Sequence, residues 1–421
     1  MKFQAPRGTY DILPEDNFKW NYIKNVFKNV VKSYGYKELS FPIFESLDLF
    51  KRSVGETSDI VEKEMYVFED KKGRTFALRP EGTASVARAY VEHNLVASSR
   101  DPLRLFYQGP MFRYSRPQKG RYRQFYQFGV ECIGRAEALA DAEIISIGWE
   151  ILQQAKVPDV QLRINSVGCP KCRTDYAKKL KKYLFARKDK FCSDCQRRMN
   201  TNPMRVFDCK NPECKTQLKD APQMLDYLCA DCEEHFSNVK KYLTIMKVEF
   251  EVDPRIVRGL DYYTRTAFEY SVDYLGAQDA LGGGGRYDGL IEYVGGKSTP
   301  AVGLSLGVER ILLALEKRGI QISPADSLDV FIIPMENKFT ENAIAIMKKL
   351  HNENLSAQIA YAGASIKSSF KFCDRNNVKF AIIIGANEVE SGDYAVKDIR
   401  KRKQSNIKFN EISNYIKAKL T

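Results

Sequence analysis

A short stretch of the chain is rich in cations. Five of the eleven residues from Arg113 to Arg123 are arginine or lysine, and none is acidic. Pro117 and Gly120 interrupt the stretch and predict a loop between two strands. Like charges this close repel each other unless an anion or solvent screens them. Because an arginine fork matches phosphate oxygens at two points, the pattern favours a phosphate-binding hairpin, with a solvated basic hairpin as the alternative.

Three further motifs carry weaker signals. The segment Arg258–Tyr263 contains an arginine, a carboxylate and two phenols. It forms either a cationic binding site or a strand with Tyr262 and Tyr263 on opposite faces. The glycines Gly282–Gly285 let backbone approach a ligand closely or form a flexible turn, and they match neither a P-loop nor a GxGxxG site. Arg310, at a predicted helix start, is either a ligand contact or a solvated surface residue.

Eight of the ten cysteines lie in one charged segment, residues 168–240. A reducing compartment argues against disulfides, and repeated CxxC spacing predicts one or two structural Zn²⁺ ions held tetrahedrally. Reduced or redox-labile thiols are the alternative. The candidate ligands are the pairs Cys169/Cys172, Cys192/Cys195, Cys209/Cys214 and Cys229/Cys232.

The composition fits a protein of several domains that binds a polyanion. Its 421 residues suggest two to four domains, and 44% apolar residues suffice for a core. The net charge of +13 favours an RNA partner, with a solvated cationic surface as the alternative. No run of 18 apolar residues and no apolar signal region occur, so we expect a soluble, cytoplasmic protein without a membrane span. With three histidines and no HExxH pattern, histidine-based acid–base catalysis is not favoured.

The apolar patterns predict an α+β protein. Helical spacing indicates helices at residues 17–33 and 141–155, and clustered strands at 65–69, 76–79, 103–107, 125–132, 247–252 and 267–272 favour an antiparallel sheet flanked by helices. Residues 301–306 predict a strand that leads directly into a helix. After a predicted linker at 323–327, strands at 330–333, 357–360 and 380–384 alternate with helices at 342–351 and 365–376, which is typical of a small α/β domain.

Taken in order, these motifs resemble those of the class II aminoacyl-tRNA synthetases, and of the bacterial histidyl-tRNA synthetase family in particular. The resemblance runs from about residue 5 to 420, although the cysteine-rich segment matches only some members. The matching segments are the start Arg7–Pro14, the motif 1 proline element Phe41–Glu45, the amino-acid loop Arg79–Thr83, the Arg113 hairpin of motif 2, the histidine signatures Arg258–Tyr263 and Gly284–Leu290, and Gly307–Arg310 of motif 3.

The resemblance implies a role for several arginines on the ATP side of an active site. Arg113 and Arg258 would clamp the α-phosphate, and Arg121 and Arg310 would hold the β- and γ-phosphates of ATP, which Mg²⁺ accompanies. The family often has a glutamate where this chain has Ser115. The contact to adenine is therefore left unassigned.

The resemblance also implies which groups bind histidine and tRNA. Glu81, Thr83 and Gln127 would receive the α-ammonium group, while Glu131 and the Tyr263 hydroxyl would pair with the two imidazole nitrogens. The second-choice imidazole contact is Tyr262, and the acceptor-stem contacts are Arg116, Gln118 and Lys119. In the C-terminal domain, the elements that match the anticodon-binding domain are Ser368, Lys371 and the basic cluster Lys397–Lys403. The basic cluster either contacts RNA phosphates or is a solvated surface.

The expected protein is thus a homodimeric ligase that activates L-histidine with ATP and transfers it to tRNA(His). Its expected parts are a class II catalytic domain at 1–167 and 241–322, the cysteine-rich insertion at 168–240 and an α/β anticodon-binding domain at 327–421. The main alternative is the synthetase-like regulatory subunit of ATP phosphoribosyltransferase, which typically lacks the last domain. A pseudo-enzyme that senses uncharged tRNA is disfavoured because it would lose the catalytic arginines.

Overall fold

The chain forms two compact units, Met1–Ile322 and Ser323–Thr421. The structure, a computed structural model, describes residues 3–55, 60–95, 101–257, 262–323, 328–361 and 365–420. The division falls beside the predicted linker, of which residues 324–327 lie outside the described residues. No helix in these ranges is both long and apolar enough to cross a membrane.

The first unit is built on a large, mainly antiparallel sheet. Its strands are β1 (Lys37–Glu38), β2 (Phe44–Ser46), β3 (Val67–Glu69), β4 (Thr75–Leu78), β5 (Leu103–Phe112), β6 (Gln124–Ile133), β7 (Gln161–Ser166), β8 (Glu251–Val252), β9 (Thr264–Ser271), β10 (Ala280–Arg286) and β11 (Ala301–Gly307). Eight of them form one sheet in the order β1-β5-β6-β11-β10-β9-β7-β8, and β2, β4 and β3 form a separate small sheet. Only the edge strands β1 and β8 run parallel to their neighbours. The predicted antiparallel sheet is confirmed.

Helices cover the sheet and extend into the insertion. They are α1 (Pro14–Ser33), α2 (Leu47–Val54), α3 (Thr83–Glu92), α4 (Ala138–Gln154), α5 (Pro170–Phe185), α6 (Ser193–Thr201), α7 (Pro212–Gln217), α8 (Ala230–Ile245), α9 (Leu290–Tyr293) and α10 (Val308–Lys317), with a short π-helix at Ile60–Glu64. The helices predicted at 17–33 and 141–155 are confirmed, and both begin three residues earlier. Proline suits the first turn of α1 because its missing N–H has no partner there in any helix.

The main core lies between the sheet and the helices α1 and α4. Phe27 of α1 stacks on Phe128 of β6 with ring centroids 4.2 Å apart, and Ile144 of α4 is fully buried. A buried ion pair joins the same layers, because the Arg286 guanidinium of β10 donates to the Asp141 carboxylate of α4. Removing one partner of such a pair would leave an uncompensated buried charge.

The four glycines at 282–285 form part of a central strand, so the alternative of a flexible turn is wrong. β10 pairs with β9 on one side and with β11 on the other. A Cβ atom placed on Gly284 would lie 2.0 Å from the carbonyl oxygen of Gly303 in β11. Only glycine allows the two strands to approach this closely, and the strand presents backbone rather than side chains to the space beside it.

The second unit is a five-stranded mixed sheet with helices. Its strands are β12 (Val330–Pro334), β13 (Ala357–Ile359), β14 (Phe380–Ile384), β15 (Asp393–Asp398) and β16 (Lys403–Lys408), and its helices are α11 (Thr340–Asn352), α12 (Ile366–Arg375), α13 (Ala386–Ser391) and α14 (Ile412–Leu420). The order is β13-β12-β14-β15-β16, with β12 parallel to β13 and β14 and with antiparallel pairing from β14 to β16. The predicted α/β domain is confirmed, and it continues into two strands and two helices that the apolar pattern did not indicate.

Candidate active site

A cavity of about 350 Å³ opens on the main sheet of the first unit. The β5–β6 hairpin, the strands β10 and β11 and the first turn of α10 contribute to its walls. Arg258, predicted to belong to the same site, lies outside the described residues. The predicted site residues that line this cavity are Glu81, Thr83, Arg113, Arg121, Gln127, Tyr262, Tyr263 and Arg310.

One side of the cavity is cationic. Arg113 is anchored by a 2.8 Å hydrogen bond from its Nε to the Pro80 carbonyl, and Arg310 by a 2.8 Å bond from Nη1 to the Ala280 carbonyl. Burial lowers the pKa of both guanidinium groups, and the charges of Arg121 and Arg113 lower that of Arg310 further. Arg310 is therefore not a solvated surface residue. Because the three cations repel each other, this wall favours a bound anion.

A carboxylate already contacts one of these cations. The Arg121 guanidinium donates to the carboxylate of Glu64, which ends the short π-helix. The Tyr114 N–H also donates, over 2.6 Å, to the Glu64 carbonyl. The hairpin that carries Arg113 and Arg121 is thus fastened to the π-helix by side chain and backbone.

Another part of the cavity wall holds acceptor groups. Glu81 is buried, and its carboxylate accepts hydrogen bonds from the backbone N–H groups of Thr83 and Ala84, at the start of α3, at 2.7 and 2.8 Å. Burial raises the pKa of Glu81, and these N–H groups oppose that rise. Gln127 is also buried, and its Oε1 atom has no hydrogen-bond partner within the described ranges. An unsatisfied buried acceptor is costly unless a ligand donates to it.

Glu131 lies directly behind the cavity wall rather than in it. Its carboxylate accepts hydrogen bonds from the hydroxyl groups of Thr83, at 2.8 Å, and Tyr287, at 2.5 Å. A Cβ atom on Gly303, a cavity-lining residue, would lie 1.6 Å from Glu131 Oε2. Because Gly303 has no side chain, the carboxylate is next to the cavity. Burial raises the pKa of Glu131 to about 8.

The tyrosines next to Glu131 form one aromatic group. The rings of Tyr262 and Tyr263 contact each other with centroids 4.8 Å apart, and Tyr262 packs edge-on against Tyr287 at 5.8 Å. Both Tyr262 and Tyr263 line the cavity, so the alternative in which they occupy opposite faces of a strand is wrong.

Several lining residues were not among the predicted site residues. Tyr287 and Gly303 complete the surroundings of Glu131, and Ser305 lines the cavity from β11. Tyr287 falls within the motif Gly284–Leu290, which drew attention to the segment without singling out the residue. For Gly303 and Ser305 no sequence signal exists, since only the pairing of β11 with β6 and β10 places them.

Ser115 occupies the position at which the family often has glutamate. The residue is buried, lines the cavity, and its hydroxyl group has no hydrogen-bond partner within the described ranges. Its hydroxyl is therefore available to a ligand on the cationic side.

The remaining hairpin residues point elsewhere. Arg116, Gln118 and Lys119 are exposed and do not line the cavity. Lys119 pairs with Glu316 at 3.0 Å, between two exposed side chains. These three residues form an accessible polar surface beside the site.

The second unit carries the other predicted RNA contacts. Ser368 and Lys371 are exposed on α12. The basic cluster Lys397–Lys403 spans the turn between β15 and β16.

The eight clustered cysteines form two separate groups of four. We name them the base cluster (Cys169, Cys172, Cys229, Cys232) and the outer cluster (Cys192, Cys195, Cys209, Cys214), and the sulfur atoms within each lie within 4.8 Å of one another. The Sγ–Sγ distances include 3.6 Å for Cys169–Cys172 and 3.8 Å for Cys192–Cys209. Four sulfurs bound tetrahedrally to Zn²⁺ at about 2.3 Å would be about 3.8 Å apart. Both groups fit such an ion.

Comparison with known proteins gives a consistent result along the whole chain. The family model described as histidyl-tRNA synthetase matches residues 8–311, and the model described as anticodon binding domain matches residues 329–419. A histidine–tRNA ligase of Halothermothrix orenii is 49% identical over 407 residues, which cover 97% of each chain. The crystal structure of apo S. aureus histidyl-tRNA synthetase is 39% identical, with a TM-score of 0.84 over 99% of this chain and 100% of that one.

A more distant neighbour shares only the fold. The structure described as an ATP phosphoribosyltransferase regulatory subunit/histidyl-tRNA synthetase from Bacillus halodurans is 21% identical, with a TM-score of 0.65 over 92% of this chain and 100% of that one.

Proposed function

Because this chain belongs to the histidyl-tRNA synthetase family, we propose that it is a histidine–tRNA ligase. It activates L-histidine with ATP to give histidyl-adenylate and pyrophosphate, and then transfers histidine to the 3′ end of tRNA(His). The observation that carries this proposal is that Arg113, Arg121 and Arg310 line the same cavity as Glu81 and Gln127. The regulatory-subunit alternative is not favoured, since full-length relatives are ligases and the anticodon-binding unit is present.

We propose that the cationic side binds ATP. When the histidine carboxylate attacks the α-phosphorus, negative charge develops on the α-phosphate oxygens, and cations fixed at that point lower the barrier. Arg113 takes this role together with Arg258, while Arg121 and Arg310 hold the β- and γ-phosphates. Mg²⁺ accompanies the nucleotide and shields its charge. The buried anchors of Arg113 and Arg310 support the assignment, because they fix the guanidinium groups before the substrate arrives.

The acceptor side binds the amino acid. The α-ammonium group donates to Glu81, Gln127 and the Thr83 hydroxyl, which supplies Gln127 Oε1 with a partner. One imidazole nitrogen donates to Glu131, and the other accepts from the Tyr263 hydroxyl, with Tyr262 as the second choice. A side chain without both nitrogens leaves buried polar groups unpaired, which can discriminate by about 10⁴-fold.

Two surfaces contact tRNA in this proposal. Arg116, Gln118 and Lys119 of the exposed hairpin meet the acceptor stem beside the cavity. In the second unit, Ser368, Lys371 and the basic cluster Lys397–Lys403 meet the anticodon stem and loop. The net charge of +13 supports an RNA partner, because cationic side chains neutralise the phosphate charge of the bound RNA.

We further propose that the insertion binds two Zn²⁺ ions, one in each cysteine cluster. Thiolate sulfur suits zinc, and a closed set of four sulfurs is typical of a structural rather than a catalytic ion. Metal analysis of the purified protein tests this: about two zinc ions per chain are expected, and the Cys192→Ser variant should retain about one. A wild-type protein free of zinc after expression in zinc-supplemented medium would contradict the assignment.

The protein is proposed to act in the cytoplasm, where its tRNA substrate is charged, as a homodimer. An apolar patch on the small sheet supports the dimer. Ile43, Phe44, Val67 and Phe68 are 40 to 50% exposed there, which is unusual for neighbouring large apolar side chains.

Exchange of radioactive pyrophosphate into ATP tests the activation step. The wild-type protein should support exchange with histidine and with no other amino acid. Arg113→Ala should reduce that exchange on the order of a hundredfold or more, because it removes a cation from the developing charge. The same is expected for Arg258→Ala.

The matched control is Arg187→Ala, whose side chain packs on Tyr183 inside the insertion and should leave exchange unchanged. Exchange without histidine, or full exchange by the Arg113 variant, would refute the proposal.

A further inference from the structure

The insertion joins the sheet immediately beside the histidine side of the cavity. Where β7 ends, the Val167 N–H donates to the Arg265 carbonyl at 2.6 Å, and the Arg265 N–H donates to the Gly168 carbonyl at 3.0 Å. Cys169, the first residue of the base cluster, follows directly, while Tyr263 lies two residues before Arg265. A short backbone bridge thus connects the base cluster to the strand that begins after Tyr263.

The base cluster closes the insertion upon itself. Its four cysteines come from the two ends of the inserted segment, and Cys169 and Cys229, which are 60 residues apart, have sulfur atoms 3.9 Å from each other. The Cys229 N–H also donates to the Cys172 sulfur at 3.1 Å. This closure fixes the first turn of α5, which starts at Pro170.

Arg173 projects from that first turn onto the backbone of Tyr263, just before β9. Its Nε donates to the Val167 carbonyl at 2.9 Å, and its Nη2 donates to the Tyr263 carbonyl. One planar guanidinium therefore spans the end of β7 and the backbone of a cavity-lining tyrosine. Because the guanidinium group is planar and rigid, its two hydrogen bonds restrain the backbone direction at Tyr263, just before β9 begins.

The described residues before Arg258 are held from β7. Asn165 of β7 donates from Nδ2 to the carbonyls of Pro254, at 3.1 Å, and Ile256, at 2.9 Å. The described residues on both sides of Arg258 are thus attached to β7 or to the first turn of α5. A shift of that turn would move Tyr263 relative to the sheet.

The outer cluster makes contacts of a different kind. Arg197 of α6 pairs with Glu62 at 2.6 Å, and Asp194 lies 3.9 Å from Lys63, all with partly exposed side chains. Ion pairs in such positions contribute little to stability because water screens them.

Lys210, which follows Cys209, lies near the cavity arginines: burial lowers its pKa, and the charges of Arg310 and Arg121 lower it further. The outer cluster therefore adjoins the cationic side of the cavity, whereas the base cluster adjoins Tyr263.

We propose that the base cluster is a positioning device for histidine binding, and that Arg173 is the positioning residue through which it acts on Tyr263. The inference rests on the proposed function, and it concerns the amino acid rather than the nucleotide. Arg173 touches neither substrate. Its effect is to keep the Tyr263 hydroxyl at the correct place for an imidazole nitrogen.

The test compares Arg173→Ala with Arg197→Ala, two arginines of the insertion that reach the rest of the first unit. KM values for histidine and for ATP are measured separately by pyrophosphate exchange, and the Kd for histidine by calorimetry. Arg173→Ala should raise KM and Kd for histidine about tenfold, the size of one charge-assisted hydrogen bond, and change KM for ATP less than about twofold. The KM and Kd for histidine of Arg173→Lys should lie between those of the wild type and those of Arg173→Ala. Arg197→Ala should change neither the KM for histidine nor the KM for ATP by more than about twofold.

An unchanged Kd for histidine in Arg173→Ala, or equal increases of both KM values, would overturn the proposal. Thermal unfolding of each variant shows whether the fold is intact, and Arg173→Lys, which keeps the charge, decides the question if the alanine variant is unstable. A wild-type protein without histidine-dependent exchange would refute the proposed function instead.

Metal analysis provides a second readout. Cys229→Ser should lose about one zinc ion per chain and weaken histidine binding as Arg173→Ala does, whereas Cys209→Ser should lose one ion and keep the wild-type Kd for histidine. The reverse pattern, with histidine binding lost only in the outer-cluster variant, contradicts the proposal.

Discussion

At the scale of single residues, Glu131 is a carboxyl group that is buried away from water next to the cavity. The side chain is completely buried and accepts hydrogen bonds from two hydroxyl groups, those of Thr83 and Tyr287. These donors do not offset the loss of solvent, and burial raises the pKa to about 8. An imidazole N–H that donates to Glu131 would stabilise the ionised form, which burial disfavours.

The raised pKa predicts a pH-dependent cost in stability. Between the ordinary pKa near 4.5 and the raised value of about 8, the folded protein holds a proton that the unfolded chain releases, so this group lowers the free energy of unfolding as the pH rises through that window. Glu131→Gln removes the titration. Urea unfolding at pH 5 and pH 8.5 should show that the variant loses less stability than the wild type, by a few kcal/mol in order of magnitude.

Glu309 offers a matched control, because burial raises its pKa to about 7. Glu309→Gln should reduce the pH dependence of the free energy of unfolding only up to about pH 7. Glu131→Gln should reduce that dependence up to about pH 8. Identical pH profiles for wild type and Glu131→Gln would show that Glu131 is not the buried acid described above.

The sequence motifs pointed to residues with distinctive chemistry. They did not point to residues that line the cavity only because of where the sheet places them. Arg113, Arg121, Arg310 and Glu81 stand in recognisable motifs, and all four line one cavity. Gly303 matters because β11 pairs with β6 next to Glu131, and that register is not visible in the local sequence. Likewise, the spacings within the cysteine pairs could not tell which pairs combine, since the combination is decided by how the helices of the insertion pack.

At the scale of elements, the structure that the local sequence predicts differs from the observed one where pairing with distant strands determines the result. Gly282–Gly285 has the composition of a turn, yet neighbours on both sides hold it as a central strand. The strands β15 and β16 are rich in charged residues and lacked the apolar pattern of their neighbours, so they were not predicted. The long helices α1 and α4 were predicted well because their apolar stripes repeat over several turns.

The small sheet of β2, β4 and β3 provides a prediction about assembly. Phe44 and Phe68 pack against each other on it while remaining 49% and 40% exposed. If the patch forms the dimer interface, the double variant Phe44→Glu/Phe68→Glu should be monomeric by light scattering, because burying two carboxylates there is costly. The control Ile245→Glu, at an apolar and even more exposed position on α8, should remain dimeric. A dimeric double variant would exclude this face.

At the scale of the whole molecule, the two units divide the proposed reaction. Each has its own apolar core, and the described residues that line the cavity lie between residues 60 and 310. A fragment of residues 1–322 should therefore keep histidine-dependent pyrophosphate exchange. Its kcat/KM for tRNA should fall on the order of a hundredfold or more, since one of two linked binding surfaces is lost.

Circular dichroism and thermal unfolding of this fragment establish whether it folds. Full charging of tRNA by a folded fragment would show that the second unit does not contribute to tRNA binding. Loss of exchange by a folded fragment would show that the first unit is not sufficient for activation.

The contact between Arg121 and Glu64 has a consequence for selectivity among anions. Before any nucleotide arrives, the guanidinium already has a negatively charged neighbour within the protein. Glu64 offsets part of the charge of Arg121, so a singly charged anion such as chloride is attracted less strongly to this guanidinium than to an unpaired one. A triphosphate meets Arg121 together with Arg113 and Arg310, and its several charges compensate for the partial neutralisation by Glu64. We expect the carboxylate to favour polyvalent over monovalent anions at this position.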